Sequence, residues 1–294
     1  MSLSPDERKI ASHYSARVQK WVDEYVNPSG YPFTMIRINR ITDYLNRHKV
    51  RRRSVLDVGC GIGIPSVRLA DPAADVVGFD VSDELIEWAD KHAAHHAPGF
   101  RGRAKFHVGS AVDSKAYPTG LFDLVMALGV LQHIDRDREM LALMRERLAD
   151  DGLLIVSLRN PLFGFTTFNR PSLELYREVF ADVLQTDKGK ILEKFLASNL
   201  ATDQPPERHG DASNPGLGDI VYCYHNPLTL DALFGDVGLK AVELEFYRHH
   251  ALPPLLQPQA PEEFDRLSQM LDARPNDWRS WFLCSTYIVY ARRA

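Results

Sequence analysis

Val55-Leu56-Asp57-Val58-Gly59-Cys60-Gly61-Ile62-Gly63 is the stretch on which the reading of this sequence turns. A short apolar run closing on alternating glycines is followed, from Pro65 to Asp71, by helical spacing. That pattern is a strand, a tight turn and a helix. The glycines let the backbone turn sharply and approach a ligand closely, while the helix N-terminus offers unpaired N–H groups. Alone, such a turn indicates a nucleotide and nothing finer.

Spacing separates the possibilities. The dinucleotide fingerprint G-x-G-x-x-G, started at Gly59, requires glycine at position 64, where this chain has Ile64 and then Pro65. The third glycine arrives early, which disfavours a nicotinamide oxidoreductase. Asp57 stands just before the first glycine, where a carboxylate can accept bonds from an ammonium group or from loop N–H groups; a pyrophosphate gains nothing from it. Asp80, about twenty residues beyond the turn, can accept both ribose hydroxyls and so supports a nucleoside without naming a reaction.

Working outward, strand-like and helix-like segments alternate. Asp75 to Asp80, Ala104 to Val108, Phe122 to Leu128 and Leu153 to Leu158 read as strands, with helices opening at Ser82 and running over Arg136 to Leu148. This alternation predicts an α/β fold, a parallel sheet with helices on both faces. It breaks after Arg159. The aromatic-rich stretch from Phe163 to Phe180 and the polar stretch from Asp203 to Asp219 predict a helical insertion, a lid ending in a flexible segment, with the aromatic residues forming the lid's own core. The sheet then resumes, with a helix over Leu228 to Phe234, a strand over Leu239 to Tyr247, a helix over Pro261 to Ala273 and a final strand over Trp281 to Tyr290. The expected organisation is an N-terminal helical cap (1–50), a core (51–159), the insertion (160–225) and the C-terminal part of the core sheet (226–294).

The set Val55 to Gly63, Gly78-Phe79-Asp80, Phe122-Asp123-Leu124-Val125 and Asp151-Gly152-Leu153-Leu154 resembles class I S-adenosylmethionine (SAM)-dependent methyltransferases over roughly residues 54 to 159. The resemblance implies a doubly wound, Rossmann-like, seven-stranded sheet, mostly parallel, with the last strand antiparallel. It implies SAM as cofactor and S-adenosylhomocysteine (SAH) as product, with Asp57, Gly59 and Gly61 around the methionine portion, Asp80 at the ribose and Val81 beside the adenine. Ser110 and Ala111 match the family's adenine-side position, although an acidic residue is commoner there than Ser110. Cys60, as a small loop residue, and Leu128, at the end of the fourth strand, complete the cofactor set. Tyr14 resembles the tyrosine that often closes over SAM in such enzymes.

Methyl transfer from a sulfonium is an in-line displacement, so the protein has to align the acceptor and, where needed, remove its proton. The segment after the fourth strand, Leu128 to His133, lacks both the [DN]-P-P-[YF] of enzymes resembling one another in methylating base amines and the cysteine of cytosine-C5 enzymes. A histidine can titrate near neutral pH, which makes His133 the candidate base, against the plainer role of a helix cap or of packing beneath the site. Tyr222, Tyr224 and His225 are candidates for the acceptor pocket. Arg37 is a further candidate, for a carboxylate or phosphate; for Arg37 and Arg40 the competing reading is surface solvation. His249-His250 reads as an exposed strand end.

The remaining bounds are broad. A net charge of −4 over 294 residues offers no basic field for nucleic acid, and Arg51-Arg52-Arg53 reads as a solvated strand entrance. Cys60, Cys223 and Cys284 are scattered, so neither a disulfide framework nor a metal site is expected. The N-terminus lacks a signal-peptide core and no long apolar run occurs, which makes the cytoplasm the expected location and a membrane partner unexpected. The expected activity is O- or N-methylation of a small metabolite such as a sugar, a polysaccharide precursor or a secondary metabolite, in a monomer or homodimer. The alternatives are a protein or RNA methyltransferase and a non-catalytic SAM-binding sensor or partner protein.

Overall fold

The computed structural model describes residues 3–28, 32–274 and 277–294, so parts of the expected N-terminal cap and C-terminal segment lie outside the described residues. Three helices come first: α1 (Pro5–Ser15), α2 (Val18–Val26) and α3 (Phe33–Arg47). The first is closed by a capping box, with Ser4 and Glu7 each accepting the other's backbone N–H. The alternating part follows: β1 (Ser54–Val58), α4 (Ile64–Leu69), β2 (Asp75–Asp80), α5 (Asp83–His92), β3 (Arg103–Val108), β4 (Phe122–Leu128), α6 (Asp137–Glu146) and β5 (Leu148–Arg159).

Next come α7 (Arg170–Val179), α8 (Ala181–Leu184) and α9 (Asp187–Asn199), then a stretch without long elements. The chain returns through α10 (Leu230–Gly235), β6 (Leu239–His249), α11 (Pro261–Asp272), α12 (Ser280–Leu283) and β7 (Cys284–Arg293). No helix among the described residues is long and apolar enough to cross a membrane.

The strands form one seven-stranded sheet in the order β3-β2-β1-β4-β5-β7-β6. All neighbours are parallel except those of β7, which runs antiparallel to β5 and β6. The central strands are covered on both faces, which is why they read as continuous apolar runs. Val55, Leu56, Val58, Leu124, Val125 and Met126 are all buried, each contributing about 1.5–3 kcal/mol relative to exposure for a side chain of this kind. The edge strand β3 is mostly uncovered, and Arg103 holds Asp75 of β2 with two bonds, at 2.8 and 2.9 Å.

Several expectations are corrected. The strand expected to start at Leu153 begins at Leu148, and its early pairing shifts register against Phe122 and Leu124. The segment expected as a final strand from Trp281 begins as the helical turn α12. Phe165, Phe168 and Phe180 are exposed and form no lid core, because short helices with few covering partners leave that face open. His249 is buried, held between Asp272 at 2.8 Å and Ser280 at 2.9 Å, because α11 and α12 pack over the end of β6. Arg37 and Arg40 are buried too, because α3 lies on the sheet; Arg40 pairs with Asp272 at 3.1 Å. Arg51 and Arg52 pair with Asp123 and Asp71 at the mouth of β1.

Candidate active site

The carboxyl ends of β1, β2, β4 and β5 open into a cavity of about 450 Å³. Gly59, Gly61 and Gly63 all have left-handed backbones, with φ of 68°, 53° and 68°. At Gly59 an added Cβ would lie 2.4 Å from a Val130 methyl, so the turn packs directly on the loop after β4. At Gly61 nothing stands within 4 Å of that position, and the turn is open to the cavity. The N–H groups of Gly59 and Cys60 both donate to the Phe79 carbonyl, at 2.8 and 3.0 Å, tying the turn to β2. Cys60 is buried and its thiol pushed well above its ordinary pKa by that burial, so it is a small loop residue and no nucleophile.

Asp57 is buried at the end of β1. Its Oδ2 accepts the Ser66 hydroxyl at 2.6 Å, while its Oδ1 has no partner among the described residues. Burial lifts its pKa to about 7, against the Ser66 bond and the nearby Arg37 charge. A buried acceptor of this kind, on the wall of a cavity, fits the ammonium group of an amino-acid ligand. Asp80 accepts the N–H groups of Gly61 at 2.9 Å and Ser82 at 3.0 Å. Burial raises its pKa, with those N–H groups working the other way. Val81, Ala111 and Leu128 also line the cavity.

Ser110 is buried beside this wall, and its hydroxyl donates to the Glu7 carboxylate, which itself lines the cavity. The acidic group missing from position 110 is thus brought from α1. Sequence reasoning missed Glu7, and the capping pattern Ser4-x-x-Glu7 explains only its helix role.

His133 is buried in the turn after β4. Its Nδ1 lies 2.8 Å from the Val221 carbonyl, an acceptor only, so the proton sits on Nδ1 and the Nε2 lone pair is free to accept. Nε2 receives the Tyr14 hydroxyl at 2.6 Å and the Gln132 amide at 2.9 Å. Burial lowers the His133 pKa to about 4, against the Val221 bond, and raises that of Tyr14 to about 12. The structure therefore brings Tyr14 to His133; its ring also stacks on Trp21 at 5.6 Å.

Tyr222 lines the cavity, 5.9 Å ring to ring from His133. Tyr224 packs on Tyr222 and is 42% exposed, outside the cavity wall. His225 is buried elsewhere, its carbonyl taken by Tyr287 and its Nε2 3.5 Å from Asp137. Arg37 reaches the cavity and donates to Tyr25 at 2.8 Å. Sequence reasoning also missed the wall from Arg208 to Leu217, which His13 ties to α1 through the Pro215 carbonyl at 2.6 Å, and it missed Arg159 and Arg248. Among the described residues no group of His, Cys, Asp and Glu could hold a metal ion.

Comparison with known proteins agrees with this geometry. A family profile described as a methyltransferase domain matches residues 55–152. The chain is 37% identical over 105 residues to the mitochondrial ubiquinone biosynthesis O-methyltransferase of Schizosaccharomyces pombe, covering 36% of this chain and only 37% of that protein. It is 25% identical over 231 residues to the ubiquinone biosynthesis O-methyltransferase of Coxiella burnetii, covering 77% of this chain and 91% of that one. The crystal structure of magnesium protoporphyrin IX methyltransferase from Synechocystis PCC 6803 with bound SAM superposes with a TM-score of 0.55 at 15% identity, covering 100% of both chains, a likeness of fold. The open glycine turn, the carboxylates at the ends of β1 and β2 and the strand order agree with the methyltransferase domain matched over residues 55–152.

Proposed function

We propose that this protein is an O- or N-methyltransferase acting on a small metabolite, with His133 as its proton acceptor. The observation that carries the reading is the unpartnered, buried Oδ1 of Asp57 on the cavity wall beside the open Gly61 turn. When bound, SAM supplies an electrophilic methyl group. Asp57 would hold its ammonium and Asp80 its ribose hydroxyls, with Glu7, Val81 and Ala111 around the adenine.

What this chain's residues add is alignment and a proton path. Val221 fixes the His133 tautomer, leaving Nε2 to accept. Tyr14 stands against Nε2, so its hydroxyl passes a proton to Nε2 while taking the acceptor's own. A free tyrosinate is unfavourable at a pKa of about 12, so the two transfers occur together. The walls from α1, α2 and residues 208–222 act as a lid that excludes water and limits acceptor size. The two relatives described above are named as ubiquinone biosynthesis O-methyltransferases, which supports a small acceptor.

The test is incubation with methyl-labelled SAM and a metabolite extract, read by mass spectrometry. Label is expected in small molecules, and label confined to macromolecules would overturn the reading. Asp80→Ala should weaken SAM binding, whereas His133→Ala should spare binding and lower turnover. Equal loss of binding in both would remove His133 from the catalytic role.

A further inference from the structure

The cavity has a positively charged end that methyl transfer itself does not require. Arg159 closes β5 and pairs across to Thr286 on β7, which pairs in turn with Tyr247 on β6; Arg248 is the next residue. Two strand spacings, roughly 10 Å of backbone, therefore separate the residues from which the two guanidinium groups reach in. Both groups line the cavity. Tyr247 lines it as well. Arg248 has a left-handed backbone, at φ 60°. A non-glycine residue held there costs of order 1–3 kcal/mol, and such outliers gather at functional sites.

Neither arginine is neutralised. Among the described residues no carboxylate lies within 4 Å of either guanidinium. Glu24, the carboxylate whose charge Arg248 feels, makes no ion pair with it. Arg159 is positioned by its Nε bond to Gln132 Oε1 at 2.9 Å and by the Tyr222 ring, 5.3 Å away. Arg248 lies over the Phe33 ring at 4.2 Å. Burial and the charge of Arg159 together pull the Arg248 pKa down to about 10, so the two charges oppose each other across this end of the cavity. Gln132 also bonds His133, which joins the charged end to the proton acceptor.

We propose that Arg159 and Arg248 form an oxyanion subsite for the methyl acceptor, so that the acceptor carries a carboxylate, phosphate or sulfonate group. This rests on the methyltransferase reading above for the word acceptor, and on the arginine pair alone for the anion. Two side chains from adjacent parts of one sheet, each held by an aromatic face and free of carboxylates, make a fork for such a group.

The probes are sulfate and acetate, titrated at constant ionic strength into the SAH-saturated protein and followed by tryptophan fluorescence and calorimetry. Saturable binding of at least one probe is expected in the wild type. It should weaken at least tenfold in the Arg159→Gln/Arg248→Gln double variant, with SAH affinity unchanged. The Arg159→Lys/Arg248→Lys variant should keep part of it. Sulfate binding alone assigns a tetrahedral group and acetate binding alone a planar one. No saturable binding of either probe, or equal binding by the Gln double variant, overturns the proposal. Failure of SAH to bind at all, with anion binding intact, would instead overturn the methyltransferase reading and leave the arginine subsite standing.

Discussion

Gly59→Ala tests how the turn is built. The residue sits at φ 68°, where an L side chain costs about 1–2 kcal/mol. The new Cβ would stand 2.4 Å and 3.1 Å from the two Val130 methyls, and overpacking of this kind costs about 1–3 kcal/mol more. Against that, replacing glycine stiffens the unfolded chain and returns about 0.4–1 kcal/mol. The net expectation is a loss of about 2–4 kcal/mol in urea unfolding, with weaker SAH binding by calorimetry. In a Val130→Ala background the clash disappears but the backbone strain remains. The same substitution should then cost only about 1 kcal/mol, a coupling expected for residues in contact. An unchanged midpoint in Gly59→Ala, or an equal cost in both backgrounds, would refute the claim that the turn is packed on the loop after β4.

Three other outcomes are expected. Asp57, with a pKa near 7, is protonated below that pH, whereas an ammonium ligand needs the anion; SAH affinity should rise with pH from 6 and flatten above about 7. By the same linkage the ligand-free protein should lose stability as pH climbs from the usual carboxylate range to about 7, because the folded state prefers to keep that proton; pH-independent SAH binding in calorimetry would contradict this. His133, at about 4, stays neutral from pH 6 to 8, so turnover should show no limb from this group there, and a limb near 6.5 would count against it. In the same profiles Tyr14→Phe removes the hydroxyl that relays the proton and should lower kcat by about 10²–10⁴-fold, while leaving SAH affinity within twofold. Finally, Arg40→Ala leaves Asp272 buried without its cation; burial lifts the Asp272 pKa to about 7, so the loss in chemical unfolding should grow as pH rises through 7, toward about 3–5 kcal/mol; a loss under 1 kcal/mol at pH 9 would show that the pair is solvated.

The sheet was legible because its signals are local. An apolar run buried on both faces, as in Phe122 to Leu128, has few other readings, and the glycines of the turn carry their backbone angles in their identity. The positions of Asp57 and Asp80 on the cavity wall were legible for the same reason, since both lie at the ends of strands whose places the pattern gives. The groups that distant segments bring to the cavity were not. Glu7 reaches Ser110 from 103 positions away in sequence, and His13 meets Pro215 across 202. Arg248, one residue past the strand expected over Leu239 to Tyr247, drew no reading because nothing in its neighbours announces a left-handed backbone. The burial of His249 depends on α11 and α12 folding back over β6, and a His-His pair carries no mark of what will cover it.

The place of β7 has a consequence for how the molecule comes into being. It is the last strand in sequence, yet it lies between β5 and β6. During synthesis β5 and β6 emerge with a gap of one strand between them, and the backbone groups facing that gap stay unpaired until Cys284–Arg293 appears. Tyr287, Ile288, Val289 and Tyr290, all buried, arrive with it. A chain halted after β6 and before Cys284 therefore has two open strand edges facing the gap, a template for association with other nascent chains. Completion of this sheet is a late, non-local event, and its rate should be set by the docking of a single strand into a waiting slot.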